Sequence, residues 1–338
     1  MPISNPAALL SGRLSVNAMR PFVTHDGKTY IIHNGAKKLH TNEGLLLYDE
    51  WKDLDRNVIE VATDRLTAIA DLQAAGLTHN LGSIGVTIAQ WERSSDMTDA
   101  DFSMSGVTAG EEDTPAYKTQ GVPVPVVHKD FRLNIRRLEA SRRFGEALDV
   151  TASDIAARKV AEGSEDMLFA GKPITVDGQT IYGYTNHPHR NTVDLDTAWD
   201  DPTVTGEDIL DDVQEMLQTA RDQNYYGPFT LYVPSEYEGV LDNDLYPDSG
   251  DTRTIRARLL QLSNLNRIVV ADRLASDNVI LIQLTRDVVD LAVAQDVTTV
   301  QWDQSGGMSE HFKVMAVWVP RLKSDYDEKS GIVHLRPA

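Results

Sequence analysis

The stretch Thr151 to Gly171, TASDIAARKVAEGSEDMLFAG, constrains this fold more than any other. Its pattern predicts one helix of about 18 residues, roughly 27 Å long at 1.5 Å per residue. Thr151 or Ser153 can cap the start. Asp154, three residues after Thr151, makes a weak capping box and suits the positive end of the helix dipole. Gly171 followed by Pro173 marks the stop. Ala156, Val160, Gly163 and Met167 fall on one line, and Ala157, Ala161, Ser164 and Leu168 on the next. Most are small, and small side chains let another backbone come close.

At 338 residues the chain can bury a large core and should form roughly two domains or lobes. It has no run of 18 apolar residues, so no membrane-spanning helix is predicted. The start, MPISNPAALLSGR, lacks the basic-then-apolar layout of a secretion signal. Cysteine is absent, which removes disulfides, a thiol nucleophile and Cys-ligated zinc, and suits a reducing compartment. The net charge of −19 argues against tight binding of nucleic acid through phosphate contacts. Residues 1–40 run the other way, with Arg13, Arg20, Lys28, Lys37 and Lys38 against Asp26 alone. A basic arm on an acidic body points to an arm that lies on another acidic surface or a polyanion.

Residues 1–44 carry many breakers and read as an extended arm, with short strands at Val23 and Tyr30–Ile32 flanking a turn at His25-Asp26-Gly27. Leu45 to Ala75 has strong helical periodicity and is predicted as one helix ended by Gly76. Strands are expected from Ile84 to Trp91 and again from Tyr117 to Ile135. Between them lies a polar stretch with Asp96, Asp99, Asp101, Glu111, Glu112 and Asp113. This reads as a long two-stranded flap, which is marginal alone and needs a partner surface. Trp91 sits at its root. A basic cluster follows: Lys129, Arg132, Arg136, Arg137, Arg142 and Arg143. We expect an acidic flap from one subunit to lie over this stretch of a neighbour, with charge setting steering and register.

Beyond Gly171 the pattern predicts a hairpin over Ile174–Tyr184 across Asp177-Gly178, then a polar loop from Asn186 to Pro202. A helix over Glu207–Asn224 and a buried strand over Phe229–Val233 follow. Ser235–Asp244 is a helix or turn, Thr254–Leu262 is helical, and Ile268–Ala271 and Asn278–Leu284 are strands. Residues 172–285 therefore read as an α/β lobe. The tail reads as strands at Val288–Ala294, Val297–Trp302, His311–Pro320 and Ile332–Leu335, with a hairpin at Gly306-Gly307. These strands are expected to return to the lobe of the long helix.

The order of parts resembles encapsulin shell proteins and the related tailed-phage major capsid proteins of the Hong Kong 97 fold. The residues that carry it are Val124-Pro125-Val126 through Phe131 to Leu133, Ile155 to Glu162, and Glu165 to Gly171. Gly227 to Val233, Tyr246-Pro247 with the Arg/Leu helix after it, and Arg267 to Ala271 continue it. It covers residues 122–320, about two thirds of the chain, in short degenerate pieces. The resemblance implies an α+β capsid fold with an N-terminal arm (1–44), an N-terminal helix (45–79) and an extended loop (80–130). A peripheral domain with a spine helix (131–171), an axial domain (172–285) and returning peripheral strands (286–338) complete it. It further implies self-assembly into pentamers and hexamers, a portal, a separate scaffolding protein and a decoration protein. The enclosed double-stranded DNA would be touched weakly and without specificity. The long arm and flap favour a phage capsid, assembled in the bacterial cytoplasm and residing in the virion. An encapsulin nanocompartment around cargo enzymes is the second reading.

Chemical motifs are sparse. His187-Pro188-His189 is the one close histidine pair, but the proline breaks a strand and only Asp194 and Asp196 stand near as further ligands, so a solvated loop is expected. No nucleophile elbow, phosphate loop, dinucleotide fingerprint or His-Glu-x-x-His occurs. A metal-dependent hydrolase is thus the remotest reading, and neither catalytic residues nor a cofactor nor a metal is expected. Some relatives in the resembled family join Lys and Asn covalently between subunits. Lys118 lies on the flap, but nothing nearby marks it for that chemistry.

Overall fold

The computed structural model describes residues 22–23, 29–33, 36–39, 48–98, 102, 104, 114–134, 136, 151–246, 251–303 and 309–337. It divides into two compact units. One comprises Met1–Arg65, His128–Val160 and Val297–Ala316, and the other Leu66–Val127, Ala161–Asp296 and Val317–Ala338.

In the first unit the arm contributes β1 (Phe22–Val23), β2 (Thr29–His33) and β3 (Ala36–Leu39) as a small antiparallel sheet. The first two are the strands expected around His25-Asp26-Gly27, and β3 was not foreseen. Helix α1 (Tyr48–Arg65) follows and buries Leu54, Val58 and Ala62. Phe131 and Phe312 stack with ring centroids 5.2 Å apart, and Lys313 reaches Asp130 Oδ1 at 3.6 Å.

The predicted single helix over 45–75 is two. Helix α2 (Ala68–Ala74) starts anew after Leu66-Thr67. Neither Gly nor Pro stands there. The cause is Glu165, 96 to 98 residues away in sequence. Its Oε1 accepts from the N–H groups of Thr67 and Ile69, both at 2.9 Å, and its Oε2 from Ala68 at 3.2 Å. These are the orphan donors of a helix start, and the carboxylate satisfies three of them at once.

Glu165 belongs to α3 (Thr151–Ala170), the helix predicted first. Of the two predicted lines, Ala156, Ala157, Val160, Ala161, Ser164, Met167 and Leu168 are buried and Gly163 is half-buried. Trp318 seats its indole at Ser164, with Nε1 donating to Oγ at 3.0 Å. Gly171 ends the helix at φ +68°. A Cβ at Gly171 would meet the Ile181 carbonyl oxygen at 2.6 Å, and one at Gly183 would collide with the backbone of Gly171 and Phe169. The two backbones touch, so Gly183→Ala should cost about 3 kcal/mol or more, read as a lowered urea midpoint by circular dichroism. An unchanged midpoint would mean this contact is looser than described.

The hairpin β8 (Lys172–Val176) and β9 (Gln179–Ile181) turns at Asp177-Gly178, where φ is 49° and 77° as a type I′ turn needs. The expected polar loop after it is instead partly strand. Asn191–Leu195 forms β10, with Val193 and Leu195 inward and Thr192 and Asp194 outward. Helix α4 (Gly206–Asp222) opens with a capping box between Thr205 and Asp208, in which Asp208 Oδ2 accepts from the Thr205 N–H at 2.7 Å. Its inward side chains Ile209, Val213, Met216, Leu217 and Ala220 pack into the main core.

That core lies on a five-stranded sheet ordered β10-β18-β15-β11-β14, where β11 is Phe229–Val233, β14 Leu265–Val270, β15 Val279–Gln283 and β18 Ile332–Pro337. β18 pairs parallel with β10 and antiparallel with β15. This corrects the expectation that residues 332–335 return to the lobe of the long helix. Val333 and Leu335 have their apolar partners at Val193, Leu195 and Leu281 of this sheet. Two predicted tail strands are one, β16 (Val289–Asp303), which takes β4 (Thr78–Asn80) as a parallel partner; β17 is Ser309–Leu322, and β12 (Asp244–Tyr246) pairs antiparallel with β13 (Asp251–Thr254). The hairpin expected at Gly306-Gly307 lies outside the described residues.

Candidate assembly surface

The flap is a two-stranded ribbon. β5 (Ile88–Ser94) and β6 (Tyr117–Pro123) pair antiparallel from Ile88↔Pro123 to Ser94↔Tyr117 and, among the described residues, with no other strand. Ser95 closes it, donating N–H to the Ala116 carbonyl at 2.8 Å and accepting from the Ala116 N–H at 2.9 Å through Oγ.

The ribbon is held by its own unit from Ala89 out to Arg93, and the described residues beyond it are exposed. At the root Ala89 and Val122 are buried. Arg93, also buried, donates through Nη1 to Ser324 Oγ at 2.6 Å and to the Asp325 carbonyl at 2.9 Å. Periodicity offers no sign of that anchor, because an Arg in a strand reads as a surface residue. Trp91 lies under the Arg321 guanidinium, 5.8 Å from carbon to ring centroid. Arg321 in turn forms a two-pronged pair with Asp290 at 2.6 Å on both arms, and Lys323 Nζ reaches Asp290 Oδ2 at 2.7 Å. Trp91 therefore packs on its own unit. Further out Tyr117 is 67 % exposed, Met97 55 %, and Phe102 and Met104 fully exposed.

Of the expected contact residues, four are described. Asp96 is exposed near the closing pair and accepts from the Met97 N–H at 2.9 Å. Arg132 is exposed on β7 (Val126–Asn134), and Arg136 is exposed just past it. Trp91 is half-buried. Asp99, Asp101, Glu111, Glu112, Asp113, Arg137, Arg142 and Arg143 lie outside the described residues.

The histidine pair is not in a solvated loop. His187 is buried, and burial with the nearby charges of His189, Arg190 and Arg93 pushes its pKa down to about 3. Asp194 is turned to Arg336, and no group of three metal-ligating side chains occurs among the described residues. Among the described residues, Glu165 is the one buried carboxylate without a cation partner. Asp71, its neighbour on α2, takes Arg267 and the Tyr232 hydroxyl. Burial foremost, and the Asp71 charge in the same direction, lift Glu165 to about 7 despite its three N–H donors.

An isolated ribbon, a long helix, a lobe on a five-stranded sheet and long tail strands, in that order, make up the α+β capsid fold named for Hong Kong 97, to which encapsulins are related. The structure superposes on the virus-like particle of Pyrococcus furiosus with a TM-score of 0.58 at 20% identity, covering 84% of this chain and 98% of that one. It superposes on the capsid of Myoviridae phage XM1 with a TM-score of 0.58 at 11% identity, covering 80% and 92%. The capsid of the native GTA particle gives 0.57 at 14% identity, covering 81% and 91%. In sequence the chain is 26% identical over 287 residues to the type 1 encapsulin shell protein EncA of Myxococcus xanthus (strain DK1622), covering 83% of this chain and 91% of that protein. The chain belongs to DUF6260, a family of unknown function, whose model matches residues 40–335.

Proposed function

We propose that this chain is the repeating subunit of a closed icosahedral shell, the major capsid protein of a tailed double-stranded DNA phage. One observation carries the reading: a ribbon held on its own unit as far out as Arg93, beyond which Met97, Phe102 and Met104 stand in solvent. Such a ribbon is marginal alone and gains its partner from an adjacent copy. Repeated around symmetry axes, modest contacts sum to a stable particle. The subunit is then a structural protein and not an enzyme, and its working place is the virion. Scaffolding, portal and decoration proteins are the partners this role calls for. The nanocompartment is the second reading, favoured by the match to EncA over 91% of that protein.

Contents separate the two. Particles isolated from source cells and treated with nuclease should hold protected double-stranded DNA of uniform length. A co-purifying enzyme without DNA would give the role to the nanocompartment. Reversing Arg132 and Arg136 to Glu should slow assembly and flatten its dependence on salt, followed by light scattering. Unaltered kinetics across salt would remove electrostatic docking at those residues.

A further inference from the structure

Trp91 and Arg93 share one face of β5, and both meet the end of β17 and the turn after it, wholly within the second unit. Each meets something already fixed. The Arg321 guanidinium over the Trp91 ring is held by Asp290 on both arms. The turn that receives Arg93 is closed on itself. The Asp325 N–H donates to the Lys329 carbonyl at 2.9 Å, and Asp325 Oδ1 accepts from the Lys329 N–H at 2.7 Å. The Asp325 carboxylate is thus turned to Lys329, and Arg93 takes the Asp325 carbonyl instead.

For stability alone Arg93 is a poor choice. It is 5 % exposed, its Nε has no hydrogen-bond partner, and among the described residues it forms no ion pair. A buried cation held by a hydroxyl and a carbonyl is costly, and a methionine would bury a similar stem without that penalty. What the guanidinium adds is direction. Apolar contact is non-directional and lets a strand slide and swing, whereas two hydrogen bonds to a closed turn, two residues beyond Trp91, fix its angle. A swing of about 10° at Arg93 would carry a residue four positions further out through roughly 2 Å, enough to break an apolar contact.

We propose that Arg93 is a positioning residue for shell assembly: with Trp91 it holds the ribbon at one angle, so that every copy offers Met97, Phe102 and Met104 to its neighbour in the same direction. The angle is a property of the single chain, and only its use in assembly rests on the shell reading.

Spin labels at Ala116→Cys and Asp211→Cys, both exposed and unique in a chain without cysteine, read that angle by double electron–electron resonance on dissociated full-length subunits. With Arg93 in place the distance distribution should be narrow. Arg93→Met should broaden it about two-fold while the melting temperature stays within a few degrees. The share of protein in closed particles of uniform diameter, counted by electron microscopy, should fall about ten-fold. Arg93→Lys, which keeps the charge and loses the fork, should fall between. If Arg93→Met does not fold, Arg93→Gln takes its place. A broad distribution with Arg93 in place, or an unbroadened one in the folded variant, overturns the proposal, and so do normal shells from subunits whose distribution is broad. If the native sequence forms no shells yet Arg93→Met broadens the distribution, the anchor stands, and its assembly role falls together with the shell reading.

Discussion

Replacing Glu165 with Leu is expected to cost about 3–5 kcal/mol, a large share of the roughly 5–15 kcal/mol that holds a domain together. Three backbone N–H groups at the start of α2 converge on this one carboxylate. Leu fills the space and leaves all three unpaired, with the residues around them buried or nearly so. The chain break at Leu66-Thr67 would lose its reason, and the helix would tend to run on. Urea unfolding of dissociated subunits, followed by circular dichroism, measures the loss. A change below 1 kcal/mol would show that the N–H groups find other partners.

The same residue gives stability a pH dependence of known sign. Its folded pKa of about 7 lies above the ordinary 4.5, so the folded state holds an extra proton between those values. The contribution of Glu165 is full below about 4.5 and is lost as pH rises through 7. His187 and His334, lowered to about 3 and about 4, act oppositely and weaken the fold as pH drops below 6.5. Comparison with Glu165→Gln isolates the first effect, because the histidines are common to both proteins. The stability advantage of wild type over Glu165→Gln should be largest near pH 4 and shrink by pH 8.5. An advantage that grows with pH would mean the carboxylate stays ionised.

The second large effect concerns the ribbon. Replacing residues 96–115 by Asn-Gly keeps the Ser95–Ala116 closure and gives the shortened strands a two-residue turn suited to their twist. The anchors at Trp91 and Arg93 are untouched. Subunits should fold, with a melting temperature within a few degrees of wild type, and should form no particles. Electron microscopy that shows normal shells from this variant would remove the ribbon from the assembly mechanism.

Periodicity made the long helix and α4 legible, because in each the inward residues are mostly apolar or small and evenly spaced, while β11 showed as a short, nearly continuous apolar run buried throughout. What it could not show was pairing over long sequence distance. Glu165 looked like any helix carboxylate, since its partners lie nearly 100 residues earlier. β10 hid behind polar neighbours, and β18 finds its place only once Val193, Leu195 and Leu281 are assembled beside it. Trp91 was singled out as a contact residue, but its neighbours Arg321 and His187 could not be. Arg93 was missed altogether, for its anchors at Ser324 and Asp325 are 231 and 232 residues away.

The central claim is that copies of this chain complete one another. Sedimentation velocity of the purified full-length protein at micromolar concentration, with the fastest species imaged by electron microscopy, tests it most directly. Closed particles of uniform diameter are the predicted result. A single species at the 37.5 kDa of one chain, across concentration and salt, would contradict it.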